Sequence, residues 1–167
     1  EFQGVSKEVI SNIWDALKAG ELPEGPVYTL ARSMADHPHW FPLFETIGIF
    51  EGDDESYPGE VDPFLHVNLH MLVGLQILNA RPQEAQNFYV EREKRGDSPH
   101  EIVHMMINTF QRHLVWTAIH GGPEGQVDMG AYEETLRVLK PLNRDDLWVR
   151  LGHESPPDLH PEARGGF

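Results

Sequence analysis

The chain has 167 residues, of which 40% are hydrophobic and 24% charged, a balance that suits one globular domain with a real core. Thirteen Lys and Arg against 27 Asp and Glu give a formal charge of −14, which repels phosphate backbones and anionic lipid headgroups and argues against nucleic acid and membrane as partners. Cysteine is absent, which excludes disulfides, thiolate metal sites, iron–sulfur clusters and cysteine nucleophiles, so any metal must be held by nitrogen and oxygen.

In chain order, Ser6 to Ala19 carries Val9, Ile10, Ile13, Trp14 and Leu17 at helical spacing, and Gly20 follows as a stop. After the break at Pro23-Glu24-Gly25-Pro26, Val27, Leu30, Ala31 and Met34 repeat the pattern up to His37-Pro38, where the proline disfavours helix. His39 to Phe44 is aromatic and proline-punctuated, a short helical turn or loop packed on the core, and Glu51 to Glu60 reads as an acidic solvated loop. Asp62 and Pro63 supply a cap and a first helical residue for a helix to about Asn79, apolar on nearly every face and hence expected to be buried and central. A more polar, peripheral helix is expected from Pro82 to about Arg95, stopped by Gly96. Ser98-Pro99-His100-Glu101 then has the form of a capping box and opens a helix through Met105, Met106, Ile107, Phe110, Leu114, Val115 and Trp116 to Gly121. Met105, Met106 and Trp116 are expected in the core. Asp128 caps a last helix with Tyr132, Leu136 and Leu139 on one face. The pattern predicts an all-α fold, a bundle of four or more helices with an up-down-up core, in one domain over 1–142. Residues 143–167 are expected to form a C-terminal extension, partly extended or disordered. No apolar run reaches the roughly 18 residues of a membrane span and the amino end lacks a basic region followed by an apolar one, so the expected setting is soluble and cytoplasmic.

Ten histidines are the excess in this composition, and four fall in matched pairs. His66 and His70, like His100 and His104, are one helical turn apart, the spacing at which two imidazoles share a metal. In an up-down-up arrangement the two helices are parallel; at about 1.5 Å per residue, His66 and His70 lie roughly 6 and 12 Å above Asp62, and His100 and His104 roughly 3 and 9 Å above Ser98. Side by side, the helices would bring His66, His70, His100 and His104 together as metal ligands. Glu101 follows as a fifth ligand or general base, or simply as part of the cap. His113 and His120 fall off the face of His104, while His37, His39, His153 and His160 lie in loops or tail and read as surface or packing residues. Helix amino termini favour the neutral, metal-binding imidazole. Nitrogen ligands suit a transition metal, zinc or iron foremost, with nickel and copper possible and magnesium and calcium disfavoured. Four histidines would close a structural zinc site, and three would leave a position for water.

His37-Pro38, the acidic loop, Asp62-Pro63-Phe64-Leu65-His66 with His70, Arg81-Pro82, and His100-Glu101 with His104 resemble a bacterial all-helical family described only as a domain of unknown function, with an N-P-x-L-H-x-x-x-H segment and a later H-E-x-x-H-like one. The likeness spans roughly residues 6 to 140, and Asp62 stands where that family usually has asparagine. It implies that the histidines belong to the family pattern and implies no reaction. H-E-x-x-H is also similar to the zinc metalloprotease signature, but there the motif usually lies within a helix beside a strand-edged cleft, whereas here it opens a helix and no strand pattern is evident. Three readings follow: a metal-binding bundle, a metal-dependent hydrolase or oxidase with Glu101 as base, and a non-enzymatic interaction module with structural histidines. An oligomer is possible but not indicated by the sequence.

Overall fold

A computed structural model describes residues 4–47, 62–123 and 125–159, so the expected acidic loop lies outside the described residues. Among the described residues the regular structure is helical, with no strand. The α-helices are α1 (Lys7–Lys18), α2 (Tyr28–Ala35), α3 (Phe41–Thr46), α4 (Pro63–Asn79), α5 (Gln83–Lys94), α6 (Pro99–Ile119), α7 (Met129–Leu139) and α8 (Arg144–Arg150). Short 3-10 turns at Gly25–Val27 and Pro38–Trp40 lead into α2 and α3. None of these helices is long and apolar enough to cross a membrane. The described residues pack as two compact units, one within 4–72 and the other within 73–159.

In the first unit, Ser6 Oγ accepts from Val9 N at 3.3 Å and starts α1, whose apolar stripe buries Ile10, Ile13 and Trp14. Leu30, Ala31 and Met34 of α2, Phe44 of α3, and Phe64, Val67 and Leu69 of α4 complete this core. Trp14 packs against Phe41 and Phe44, with ring centroids 4.9 and 5.7 Å away, and its Nε1 donates to Glu45 Oε2 at 2.6 Å. Asp62 Oδ1 accepts from the amides of Phe64 (2.8 Å) and Leu65 (3.2 Å), which satisfies the first free donors of α4. One turn later Asn68 reaches back across the sequence: its Oδ1 accepts from Val5 N at 2.7 Å and its Nδ2 donates to Phe64 O at 2.8 Å. Gly4 permits this approach, because a Cβ there would lie 2.9 Å from Asn68 Cγ and Oδ1. Contrary to the expectation of an all-round buried α4, Leu65 is 46% exposed and Leu78 63%.

The second unit packs α5, α6, α7 and α8. Ala85, Phe88, Ile102, Met105, Met106, Tyr132, Leu136, Leu147 and Trp148 are its buried side chains, each worth roughly 1.5–3 kcal/mol for the larger aliphatic ones. Met105 and Met106 lie in the core as expected. Trp116 does not: it is 62% exposed, because the buried stretch of α6 ends at Phe110. Arg144–Arg150 also departs from the expected extended tail. Asn143 Oδ1 accepts from Asp146 N at 2.8 Å and opens α8, which buries Leu147 and Trp148. A polar clamp closes the far side of this unit. Arg92, 1% exposed, donates through Nε to Asp97 Oδ2 at 2.6 Å and through Nη1 to the carbonyls of Lys140 and Leu142. Lys140 Nζ meets Glu84 Oε1 at 2.5 Å, so α5, not merely peripheral, anchors the start of α6 and the end of α7.

Candidate metal centre

The Asp62 cap sets the start of α4, and the helix then places His66 and His70 on one face with their Nε2 atoms 3.0 Å apart. A third imidazole joins them from outside any α-helix. His37 follows α2 and precedes Pro38, which holds it out of helical conformation at φ −123° and ψ 65°. Its Nδ1 donates to Ser33 O at 2.6 Å, so the proton sits on Nδ1 and the lone pair on Nε2. That Nε2 lies 3.2 Å from His66 Nε2. His37, expected to be a surface or packing residue, is instead 2% exposed and part of the histidine group.

The three rings form a nearly equilateral set, with centroids 4.9 Å apart for His37 and His66, 4.9 Å for His37 and His70, and 4.7 Å for His66 and His70. None of the three pairs is stacked; their interplanar angles are 80°, 78° and 60°. Edges and nitrogens, not faces, therefore converge. A tetrahedral zinc site with bonds of about 2.0–2.1 Å has ligand nitrogens about 3.3 Å apart, close to the 3.0 and 3.2 Å found here. A proton fits this geometry less well. With the lone pair of His37 on Nε2, His66 must donate from Nε2 to serve that contact, and the same proton cannot also make a full hydrogen bond to His70. A cation could share these three lone pairs. Trp40 walls the group, stacked on His37 at 4.8 Å and edge-on to His66 at 5.0 Å. His39 lies 5.6 Å from His37, centroid to centroid. The three ring nitrogens form part of a histidine cluster that can hold a metal ion; which metal it takes is a matter of proposal.

His100 and His104 lie on α6 as the sequence predicts, one turn apart, with ring centroids 4.5 Å apart. His104 is 8% exposed, and both ring nitrogens of His100 are buried. The α6 start between them is capped on one side only: Ser98 Oγ accepts from Glu101 N at 3.3 Å. The Glu101 carboxylate does not complete the expected box. Its Oε1 accepts from Arg144 Nε at 2.6 Å and from buried Trp148 Nε1 at 2.8 Å, so it braces α8 against α6. Beyond the pair, Asn108 Nδ2 donates to His104 O at 2.9 Å, and Asn108 Oδ1 accepts from His153 Nε2 at 3.2 Å. The histidines placed off this face have other partners. His113 Nε2 donates to Thr135 Oγ1 at 2.9 Å, since the Thr135 hydroxyl is itself directed to Ala131 O, and burial lowers the His113 pKa. His120 Nδ1 donates to Trp116 O at 2.8 Å, with its ring stacked on Trp116 at 3.7 Å.

Residues 5–137 match the model of the DUF1841 family, a domain of unknown function, and the chain belongs to that family. Comparison with curated proteins and with solved structures finds no match to either.

Proposed function

We propose that this DUF1841 protein binds a transition-metal ion through His37, His66 and His70, with His104 of α6 as the fourth ligand. The observation that carries the reading is the convergence of the His37, His66 and His70 Nε2 atoms at 3.0–3.2 Å contacts. His104 enters on the sequence alone, as one of the second pair of histidines a helical turn apart. His100, a turn before His104, is the reserve ligand from the pair singled out in the sequence. Zinc is the metal of choice: neutral imidazoles without a carboxylate suit it, whereas non-haem iron sites commonly include a carboxylate. Four imidazoles close a tetrahedral shell, so the role proposed is a metal-holding one.

A metal-dependent hydrolase or oxidase is the second reading, and it draws on His66 being only half-buried at the edge of the group. In that case one histidine yields to water. Glu101 is assigned to bracing in either case, because its Oε1 already serves two donors.

Elemental analysis of untagged protein, dialysed against zinc and then against metal-free buffer, tests the proposal. The expected result is one zinc per chain, falling below one tenth in His37→Ala and in His70→Ala, with His113→Ala unchanged. Equal, negligible zinc in all four proteins would overturn it. Cobalt(II) substitution separates the two readings: intense tetrahedral visible bands unaltered by azide support the closed site, and azide-dependent bands the open one.

A further inference from the structure

The second unit carries a hollow of about 480 Å³ between the carboxyl-terminal half of α6, α7 and α8. It shares no residue with the histidine group. Its apolar lining is the buried Leu139 and Leu151 with the more exposed Trp116 and Val138. Its polar rim is cationic, which is unexpected in a chain of charge −14. Arg112 and Arg150 both line it, tied together by Arg112 Nη1 donating to Arg150 O at 2.9 Å. Among the described residues neither guanidinium is ion-paired. The hollow does contain a carboxylate, Glu134, whose Oε2 is 2.9 Å from Arg137 Nη1 on the same helix, a guanidinium that also faces Glu133 and Glu84. Two arginines against one carboxylate leave the lining with a surplus of positive charge.

Trp116 gives the other half of the argument. Its ring is 62% exposed at the end of a helix that has left the core, and it stacks on His120. A flat, amphipathic side chain held beside guanidiniums and an apolar lining is a surface for a flat apolar group bearing one negative charge. The volume falls within the roughly 300–1,000 Å³ typical of small-ligand sites. We propose that this hollow binds a small monocarboxylate with a flat apolar body, its carboxylate on Arg112 and Arg150 and its body on Trp116, Val138 and Leu151.

Titration calorimetry of the full zinc-loaded chain with 2-naphthoate tests this, using 2-naphthalenemethanol as the uncharged probe. The expected result is saturable one-to-one binding with Kd below about 1 mM, and affinity at least about tenfold weaker for the alcohol. Arg150→Glu, a change at an exposed residue, and Arg112→Gln are each expected to weaken 2-naphthoate at least about tenfold, while Lys94→Gln on α5 leaves it unchanged. Circular dichroism checks that each variant is folded, and Arg150→Glu decides the matter if Arg112→Gln is not. No saturable binding, equal affinity for the alcohol, or undiminished binding in folded Arg150→Glu would overturn the proposal. So would a polyglutamate peptide that displaces 2-naphthoate as well as unlabelled 2-naphthoate does, since it would show an acidic-peptide site without need of the apolar lining.

Discussion

Replacing Glu101 separates a bracing carboxylate from a chemical one. In the folded protein Glu101 Oε1 accepts from the fully buried Trp148 Nε1 at 2.8 Å and from half-exposed Arg144 Nε at 2.6 Å. Glu101→Leu removes both acceptors at once. An indole N–H left buried without a partner costs about 1–3 kcal/mol, and loss of a half-exposed ion pair adds about 0.2–1 kcal/mol. The sum is about 1–4 kcal/mol, which for a chain of this size corresponds to a fall in Tm of about 2–16 °C. Glu101→Gln keeps an oxygen in place for Trp148 and loses only the charge on Arg144, so it should cost under about 1 kcal/mol. Urea denaturation followed by tryptophan fluorescence reports both values, and zinc content in the folded variants should equal that of the parent. The reasoning is refuted if Glu101→Gln is as damaging as Glu101→Leu, or if folded Glu101→Gln loses its zinc.

The remaining expectations concern the two units separately. Gly4→Ala places a Cβ 2.9 Å from Asn68 Cγ and Oδ1 and should break the Val5 N to Asn68 bond, lowering stability by about 1 kcal/mol in the same urea assay. Arg92→Met leaves Asp97, 9% exposed, without its buried partner and should cost about 3–5 kcal/mol; a loss below 1 kcal/mol by denaturation would contradict the clamp. Burial holds the His113 pKa below its ordinary 6.5, so the unfolded chain takes up this proton first as pH falls. The stabilisation is present above the unfolded pKa and is lost on descending from about 6.5 to the lower folded value. Stability of His113→Gln should therefore fall less steeply over that window than the parent's, as measured by urea midpoints at a series of pH values.

Much of the helical framework was legible because its signals are local. Ser6, Asp62, Ser98 and Asp128 each stand where a cap is observed or an amide is accepted, and the stripes of α1 and α7 bury the residues their spacing marks. Trp116 shows the limit of that logic. Periodicity identifies a face but not how far the neighbouring helices extend along it, and α6, about 31 Å long, outruns α7 at about 16 Å. α8 was missed because it is only seven residues, too short for a stripe, although Asn143 three places before Asp146 is a readable cap. His66 and His70 were legible as a pair because one helix fixes both. His37 was not, since its position depends on a proline-restricted turn and a hydrogen bond to Ser33 O rather than on helical spacing. The adjacent Pro38 and Trp40 were the available hint that this histidine belonged to the interior. Glu101 satisfied the sequence form of a capping box, yet its carboxylate goes to Trp148 and Arg144, partners more than forty positions away that no local pattern reveals.

X-ray absorption at the zinc edge tests the metal proposal most directly, because it reports the ligand atoms themselves. For the zinc-loaded protein the account predicts a shell of nitrogen at about 2.0–2.1 Å with the outer-shell scattering of four imidazoles, and in dialysed His37→Ala the loss of that imidazole-bound zinc signal. A shell dominated by oxygen in the parent protein, or an undiminished imidazole-bound zinc signal in dialysed His37→Ala, would contradict it.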